Sequence, residues 1–353
     1  MSVHILCGDV RDRLKELPDE SVHCVVTSPP YFGLRDYGVD GQIGLEDTPG
    51  AFVEVMVAVF AEVRRVLRKD GTLWLNLGDS YAGSWGAQSR GNANGEASST
   101  LQGASMLSAR QIIAHPKGTL TGSLKNTPGL KPKDLMGMPW RVAFALQAAG
   151  WWLRQDIIWS KPNPMPESIK DRCTKAHEYL FLLSKSERYH YDAEAIREES
   201  DWDAGNTKMP DGWDTSAGGH GSFHRNGREK GRRVRGVPPR HAQYASSDQS
   251  GLDAIGRGDG RNKRSVWTVA TEPFPEAHFA TFPPSLIKPC ILAGCPKGGT
   301  VLDPFGGAGT TGLVADRLGR DAILIELNPE YAEIARKRIA GDSTLFADVS
   351  VAA

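Results

Sequence analysis

Apolar and polar positions follow two different periods along the chain. Residues 3–7 form a short apolar run that stops at Gly8-Asp9, and residues 22–26 form a second, stopped by Ser28-Pro29-Pro30. Short apolar runs bounded by turn residues predict buried strands. Residues 14–17 read as a short helical stretch closed by Pro18-Asp19. From 48 to 67 the period changes. Phe52, Met56, Val59, Val63 and Val66 recur at helical spacing and predict a long amphipathic helix. Lys69-Asp70-Gly71 is expected to end it, with the next strand at 72–77. Further helices are predicted at 139–147, 284–293, 310–318 and 329–339, and further strands at 155–159, 178–184, 300–302 and 322–325. Such alternation predicts an α/β fold with a doubly wound, mostly parallel sheet. There is no internal repeat.

Two stretches break the pattern. Residues 81–131 are rich in Gly, Ser, Asn and Thr and read as a flexible insertion. Residues 201–265 are rich in Gly, Arg and aromatics. The expected organisation is therefore one domain in two halves, 1–200 and 266–353, with 201–265 as an insert. The chain carries 42 Lys and Arg against 42 Asp and Glu, so a basic footprint must be local if one exists. Five cysteines (Cys7, Cys24, Cys173, Cys290 and Cys295) have spacings that suit neither zinc nor a disulfide framework, and read as idle thiols. The N-terminus lacks the plan of a signal peptide, and no apolar run reaches the roughly 20 residues that span a bilayer. A soluble, intracellular protein with no membrane partner is expected.

The densest chemical signal is Val301-Leu302-Asp303-Pro304-Phe305-Gly306-Gly307-Ala308-Gly309-Thr310-Thr311. An apolar strand enters a glycine-rich turn and a helix leaves it. This design brings backbone N–H groups close to a ligand at a helix N-terminus. Glu326 follows at the end of the next predicted strand, where a carboxylate can accept hydrogen bonds from both ribose hydroxyls of a nucleoside. The alternative is a tight strand–helix turn with a surface carboxylate. The turn resembles the S-adenosylmethionine loop of amino-directed DNA methyltransferases, a Rossmann-like family. The resemblance implies that Asp303, Phe305, Gly306, Gly307, Gly309, Thr310 and Thr311 contact the cofactor, with Glu326 on its ribose. His278-Phe279-Ala280-Thr281-Phe282-Pro283 resembles the segment bordering the methionine carboxylate, which adds Thr281 and Phe282. Phe282 stands where many relatives have lysine. Gly8-Asp9 resembles the adenine segment, making Asp9 the acceptor for the adenine amino group.

The second signal is Ser28-Pro29-Pro30-Tyr31 at the end of a buried strand. Two prolines fix the backbone and remove two donors, leaving carbonyls, a hydroxyl and an aromatic ring. An exocyclic amine is a poor nucleophile because its lone pair is conjugated with the ring. Acceptors such as Ser28 Oγ and the Pro29 carbonyl favour a more tetrahedral nitrogen, and Tyr31 offers a face on which an extruded base stacks. The alternative is a rigid turn. The segment resembles the family's catalytic motif, Asp/Asn/Ser-Pro-Pro-Tyr/Phe, whose Ser form is typical of cytosine-N4 enzymes. The catalytic motif precedes the cofactor loop, as in the permuted beta class. Segments 75–80, 159–164 and 177–179 also resemble conserved-type stretches of that family.

In the beta class the target-recognition region lies between the two motifs, which is where 201–265 falls. Arg225, Arg228, Lys230, Arg232, Arg233, Arg235 and Arg240 cluster there and suit phosphates and guanine edges. Trp202, Trp213, Phe223 and Tyr244 could wedge or stack. A solvated loop is the alternative. Arg90, Arg110, His115, Lys117 and Lys125 make 81–131 a second possible DNA-facing loop. The resemblance as a whole implies methylation of double-stranded DNA at cytosine N4, by base flipping and direct transfer, with S-adenosylmethionine and no metal. It also implies a cytoplasmic prokaryotic or phage setting and a possible cognate restriction endonuclease. Adenine-N6 methylation, a protein-glutamine or RNA-amine substrate, and a non-catalytic DNA-binding relative are the rival readings.

Overall fold

The computed structural model describes residues 1–34, 38–82, 130–131, 133–198, 261–272, 274, 281–342 and 348–352. Its described strands form one sheet: β1 (Ser2–Cys7), β2 (Val22–Thr27), β3 (Leu67–Leu77), β4 (Trp152–Ser160), β5 (His177–Ser184), β6 (Val266–Thr268), β7 (Thr300–Asp303), β8 (Asp321–Glu326) and β9 (Asp348–Ala352). The described helices are α1 (Val10–Arg13), α2 (Pro49–Val66), α3 (Met138–Ala148), α4 (Pro284–Gly294), α5 (Thr310–Arg317) and α6 (Pro329–Asp342). Across the sheet the order is β6-β4-β5-β3-β2-β7-β8-β1-β9. β5 runs antiparallel to both neighbours, and the other pairs are parallel.

Side-chain alternation along the strands explains why both faces are covered. Leu73, Leu75 and Leu77 of β3, Val25 of β2 and Phe181 and Leu183 of β5 join a core with Phe52, Met56, Val59, Phe60 and Val63 of α2 and Val142 and Leu146 of α3. The intervening residues, such as Cys24, Trp74 and Leu324, point the other way and are just as buried. α4, α5 and α6 pack on one another and on β1, β2, β3, β7 and β8. α2 begins where its signals predict. Thr48 is its N-cap, accepting from Ala51 N at 3.1 Å, and Pro49 opens the first turn.

The strand predicted at 72–77 begins earlier, at Leu67, directly where α2 ends. Lys69-Asp70-Gly71 is a bulge rather than a turn. Val22 pairs with Leu67, but Cys24 already pairs with Thr72, so the extra residues of β3 are looped out between them. Gly71 makes this possible, since a Cβ there would lie 2.6 Å from Leu67 Cγ and 3.0 Å from the His23 carbonyl. β6 and β9, the two edge strands, lie where no strand was expected. They are short, and β6 buries only Trp267.

The chain divides into two compact units, Met1–Ala195 with Arg264–Ala353, and Ile196–Lys263. In the second unit, Glu198 and Arg261 exchange backbone hydrogen bonds of 2.9 and 2.8 Å, and Arg261 and Lys263 both pair with the Glu198 carboxylate. The basic cluster from Arg225 to Arg240 lies outside the described residues, as do 83–129 of the insertion and His278-Phe279-Ala280.

The topology fixes where a site can form. From β2 the chain continues to β3 on one side, and from β7 it continues to β8 on the other. β2 and β7 are therefore neighbours at the point where the winding reverses. In open α/β sheets, ligands bind outside the carboxyl ends of the strands at such a point. Because β5 is antiparallel, its first residues reach that same edge. His177 pairs with Ser160 at the end of β4, and Tyr179 with Leu77 at the end of β3.

Candidate active site

β7 ends in Asp303, which is 1% exposed. Thr27 Oγ1 and Thr311 Oγ1 each donate to its carboxylate at 2.6 Å, and Phe305 N at 3.0 Å. One carboxylate thus joins the end of β2, the start of α5 and the turn between β7 and α5. Burial pushes its pKa up to about 6 against these donors. The turn then nests between β8 and α6. Gly306 N donates to Ile325 O at 2.8 Å. Gly309 has φ +77, and a Cβ on it would lie 2.8 Å from Ala335 Cβ. Glu326 ends β8 and accepts from Gly307 N at 2.8 Å and Asn328 N at 2.9 Å. Burial, with Asp303 adding repulsion, pushes Glu326 up to about 7. Beyond β1, Asp9 caps α1 by accepting from Arg11 N at 2.8 Å, and its ion pair with Arg11 holds it below the usual carboxylate range.

On the other side of the winding reversal, β2 opens into Ser28-Pro29-Pro30-Tyr31. The Tyr31 ring lies on Gly78, just past β3, where a Cβ would come within 2.5 Å of Tyr31 Cε2. The Tyr31 hydroxyl donates to Glu178 Oε2 at 2.7 Å and lies 3.2 Å from Asn76 Oδ1, while Ser28 Oγ donates to it at 3.4 Å. Asn76 Nδ2 donates to Tyr179 O at 3.0 Å and to Glu178 Oε2 at 3.3 Å. Lys161 pairs with Glu178 Oε1 and stands 4.2 Å from the centroid of the Trp159 ring. Sheet register explains the meeting. Asn76 pairs with Leu180 and Trp159 with Glu178, so Asn76 and Glu178 are diagonal neighbours across two strands, and Lys161 lies just past the end of β4.

These two constellations face one cavity of about 960 Å³. Ser28, Pro29, Pro30 and Tyr31 line it. So do Asp9, Thr281, Phe282, Phe305, Gly306, Gly307, Thr310 and Glu326. Asp303, Gly309 and Thr311 are absent from its wall: Asp303 and Thr311 brace the turn from behind, and Gly309 packs on α6. Asn76, Lys161 and Glu178, to which the sequence assigned no role, are on the wall. Cys290, which follows Pro289 inside α4, is fully buried.

A family model for DNA methylases matches residues 22–337. Over 339 residues the chain is 44% identical to the Type II methyltransferase M.Cfr9I of Citrobacter freundii, covering 96% of this chain and 87% of that one. Over 340 residues it is 42% identical to M.SmaI of Serratia marcescens, covering 96% and 91%. The chain belongs to the DNA methylase family. Its methyl donor is S-adenosylmethionine, as in the family at large. The fold of the methylase is shared with two solved structures. PvuII DNA methyltransferase, which is cytosine-N4-specific, superposes with a TM-score of 0.55 at 18% identity, covering 99% of this chain and 95% of that one. TTHA0409 of Thermus thermophilus, in complex with S-adenosyl-L-methionine, superposes with a TM-score of 0.53 at 21% identity, covering 99% of both chains.

Two of the three residues whose roles were left open stand out singly in the sequence, though not as a cluster. Asn76 interrupts the apolar run Leu73-Trp74-Leu75, and Glu178 opens the run of β5.

Proposed function

We propose that the methylase transfers a methyl group to the exocyclic N4 amine of cytosine at a specific site in double-stranded DNA, with the target base extruded into the cavity. The observation that carries this reading is the placement of residues 28–31 and of 304–308 with Thr310 at the ends of neighbouring parallel strands, on the wall of one cavity. A cavity at the upper end of the usual range of about 300–1,000 Å³ suits a nucleoside cofactor together with a base.

The residues present fit the donor. Glu326 offers a carboxylate for a ribose diol, Asp9 one for an amine, and Phe305 and Ile325 an apolar wall. The Thr310 hydroxyl, at the N-terminus of α5 and on the cavity wall, is suited to an anionic end. When bound, S-adenosylmethionine supplies an electrophilic methyl on a sulfonium. The chain's own residues do the rest. Ser28 Oγ and the Pro29 carbonyl accept from the target amine and turn its lone pair out of conjugation. The Tyr31 ring supports the base. Asp303 and Gly78 hold these two groups in register. A serine hydroxyl at position 28, rather than a carboxylate, favours cytosine over adenine as the target. The insert 201–265, with Arg225, Arg228, Lys230, Arg232, Arg233 and Arg235, is the proposed sequence reader. The Type II relatives make a restriction endonuclease of the same specificity the proposed partner system.

The test is to incubate unmethylated genomic DNA with the protein and methyl-labelled S-adenosylmethionine, digest it to nucleosides and analyse these by mass spectrometry. Labelled N4-methylcytosine is the expected product. Labelled N6-methyladenine would keep the machinery and overturn the choice of base. No labelled nucleoside would overturn the reading of a DNA substrate.

A further inference from the structure

Two segments of unassigned role, in β3 and β5, send one polar side chain each to the hydroxyl of Tyr31, and a third, just past β4, sends Lys161 to the other oxygen of Glu178. Asn76 is 3% exposed, and the side chains of Lys161 and Glu178 are each 17% exposed. Burying an ion pair to this extent costs desolvation, and its carboxylate is aimed at one phenol. Stacking a base requires only the ring of Tyr31, which Gly78 already seats. The polar cluster around the hydroxyl therefore calls for a separate explanation.

Methylation of an amine supplies one. The target nitrogen gains an N–C bond as the donor's S–C bond breaks, and it must shed one proton to end neutral. A hydrogen-bonded line leads away from the position of that amine: Ser28 Oγ donates to the Tyr31 hydroxyl at 3.4 Å, and that hydroxyl donates to Glu178 Oε2 at 2.7 Å. We propose that Glu178 is the acceptor of the proton lost by the target amine, reached through Ser28 and Tyr31. The N–H bond of the amine breaks and its proton joins Ser28 Oγ. The serine proton passes to the Tyr31 oxygen, and the phenol proton passes to the Glu178 carboxylate. Lys161, paired with the other carboxylate oxygen, holds Glu178 in position. Asn76 fixes the nearer oxygen by donating to it at 3.3 Å. The relay rests on the proposed amine substrate and holds for either base.

The experiment is a double-mutant cycle of Tyr31→Phe and Glu178→Gln. Single-turnover methyl transfer to unmethylated genomic DNA is measured from preformed complexes, with cofactor affinity and the thermal midpoint measured in parallel. Each single variant should lose about 10²-fold or more in the transfer rate, the usual scale of acid–base assistance, with unchanged cofactor affinity. The double variant should lose no more than either single one, because both interrupt the same line. A Tyr31→Phe variant within about threefold of the wild-type rate, or losses that multiply in the double variant, would overturn the relay. If Glu178→Gln lowers the thermal midpoint, the decision falls to Tyr31→Phe, which keeps the ring and every packing contact. A wild-type protein that labels no base sinks the proposed function instead, and is distinguished from failure of the relay by that control.

Discussion

At the scale of single residues, the site works through groups whose ordinary properties have been displaced. Glu326 is the clearest case. Burial lifts its pKa to about 7, so it is part neutral at neutral pH, whereas a ribose diol needs the carboxylate as acceptor. Cofactor affinity should therefore weaken as pH falls from 8 to 6. In Glu326→Gln it should be lower by about tenfold at pH 8 and flat across that range, the scale of one charged hydrogen bond. Calorimetric titration with S-adenosylmethionine at several pH values checks both. Gly78 is the second case. Gly78→Ala places a methyl against the Tyr31 ring, and a displacement of about 1 Å at a reacting centre can cost about 10²-fold in rate. Transfer should fall by that order while cofactor affinity, which depends on the other side of the cavity, stays the same.

At the scale of elements, the end of β2 and the end of β7 act as one unit because Asp303 clamps them. Asp303→Ala leaves Thr27 Oγ1 and Phe305 N without this acceptor and should cost about 3 kcal/mol of stability. The sign of its pH effect follows from the direction of the shift. Asp303 is raised from 3.8 to about 6, so the folded protein holds a proton that the unfolded chain has released between those values. Its contribution is full below about pH 4 and is lost as pH rises through 6. Thermal melts of wild type should show that slope, and those of the alanine variant should lack it. The elements themselves were largely legible from hydrophobic period: α2, β7, α5 and β8 lie where the pattern puts them. The departures have local causes. Leu67 to Gly71 joined β3 because a bulge, not a turn, absorbs Lys69-Asp70-Gly71. β6 and β9 escaped because short edge strands carry too few alternating positions to register. The motif residues at 28–31 and 304–310 were legible because their chemistry is local. The cluster of Asn76, Lys161 and Glu178 was not, because it exists only in the antiparallel register of β5.

At the scale of the whole molecule, the division of the chain separates the cavity from the proposed sequence reader. Every described residue on the cavity wall belongs to the unit built from Met1–Ala195 and Arg264–Ala353. The bridge between Glu198 and Arg261 closes the insert where it leaves and returns, so the segment within that bridge is the natural unit to exchange. Replacing 199–260 with the corresponding segment of a relative should leave cofactor affinity unchanged and move the methylated sequence to that of the relative, as read by mapping modified sites. Neutralising Arg232, Arg233 and Arg235 together should weaken DNA binding uniformly across sequences and flatten its salt dependence by up to about 3 in log–log slope.

The neighbourhood of β2 and β7 has a temporal side. Thr27 and Asp303 are 276 positions apart, so the ribosome finishes β2 long before it makes the strand that covers its inner edge. At about 5–20 residues per second, that delay is roughly 15–55 s. Throughout it, the apolar edge of β2, with Cys24 and Val26, waits beside a growing chain. The residues that later form the centre of the catalytic sheet thus present, during synthesis, an edge open to misassociation, and a nascent methylase depends on keeping that edge unclaimed until its own C-terminal segment arrives.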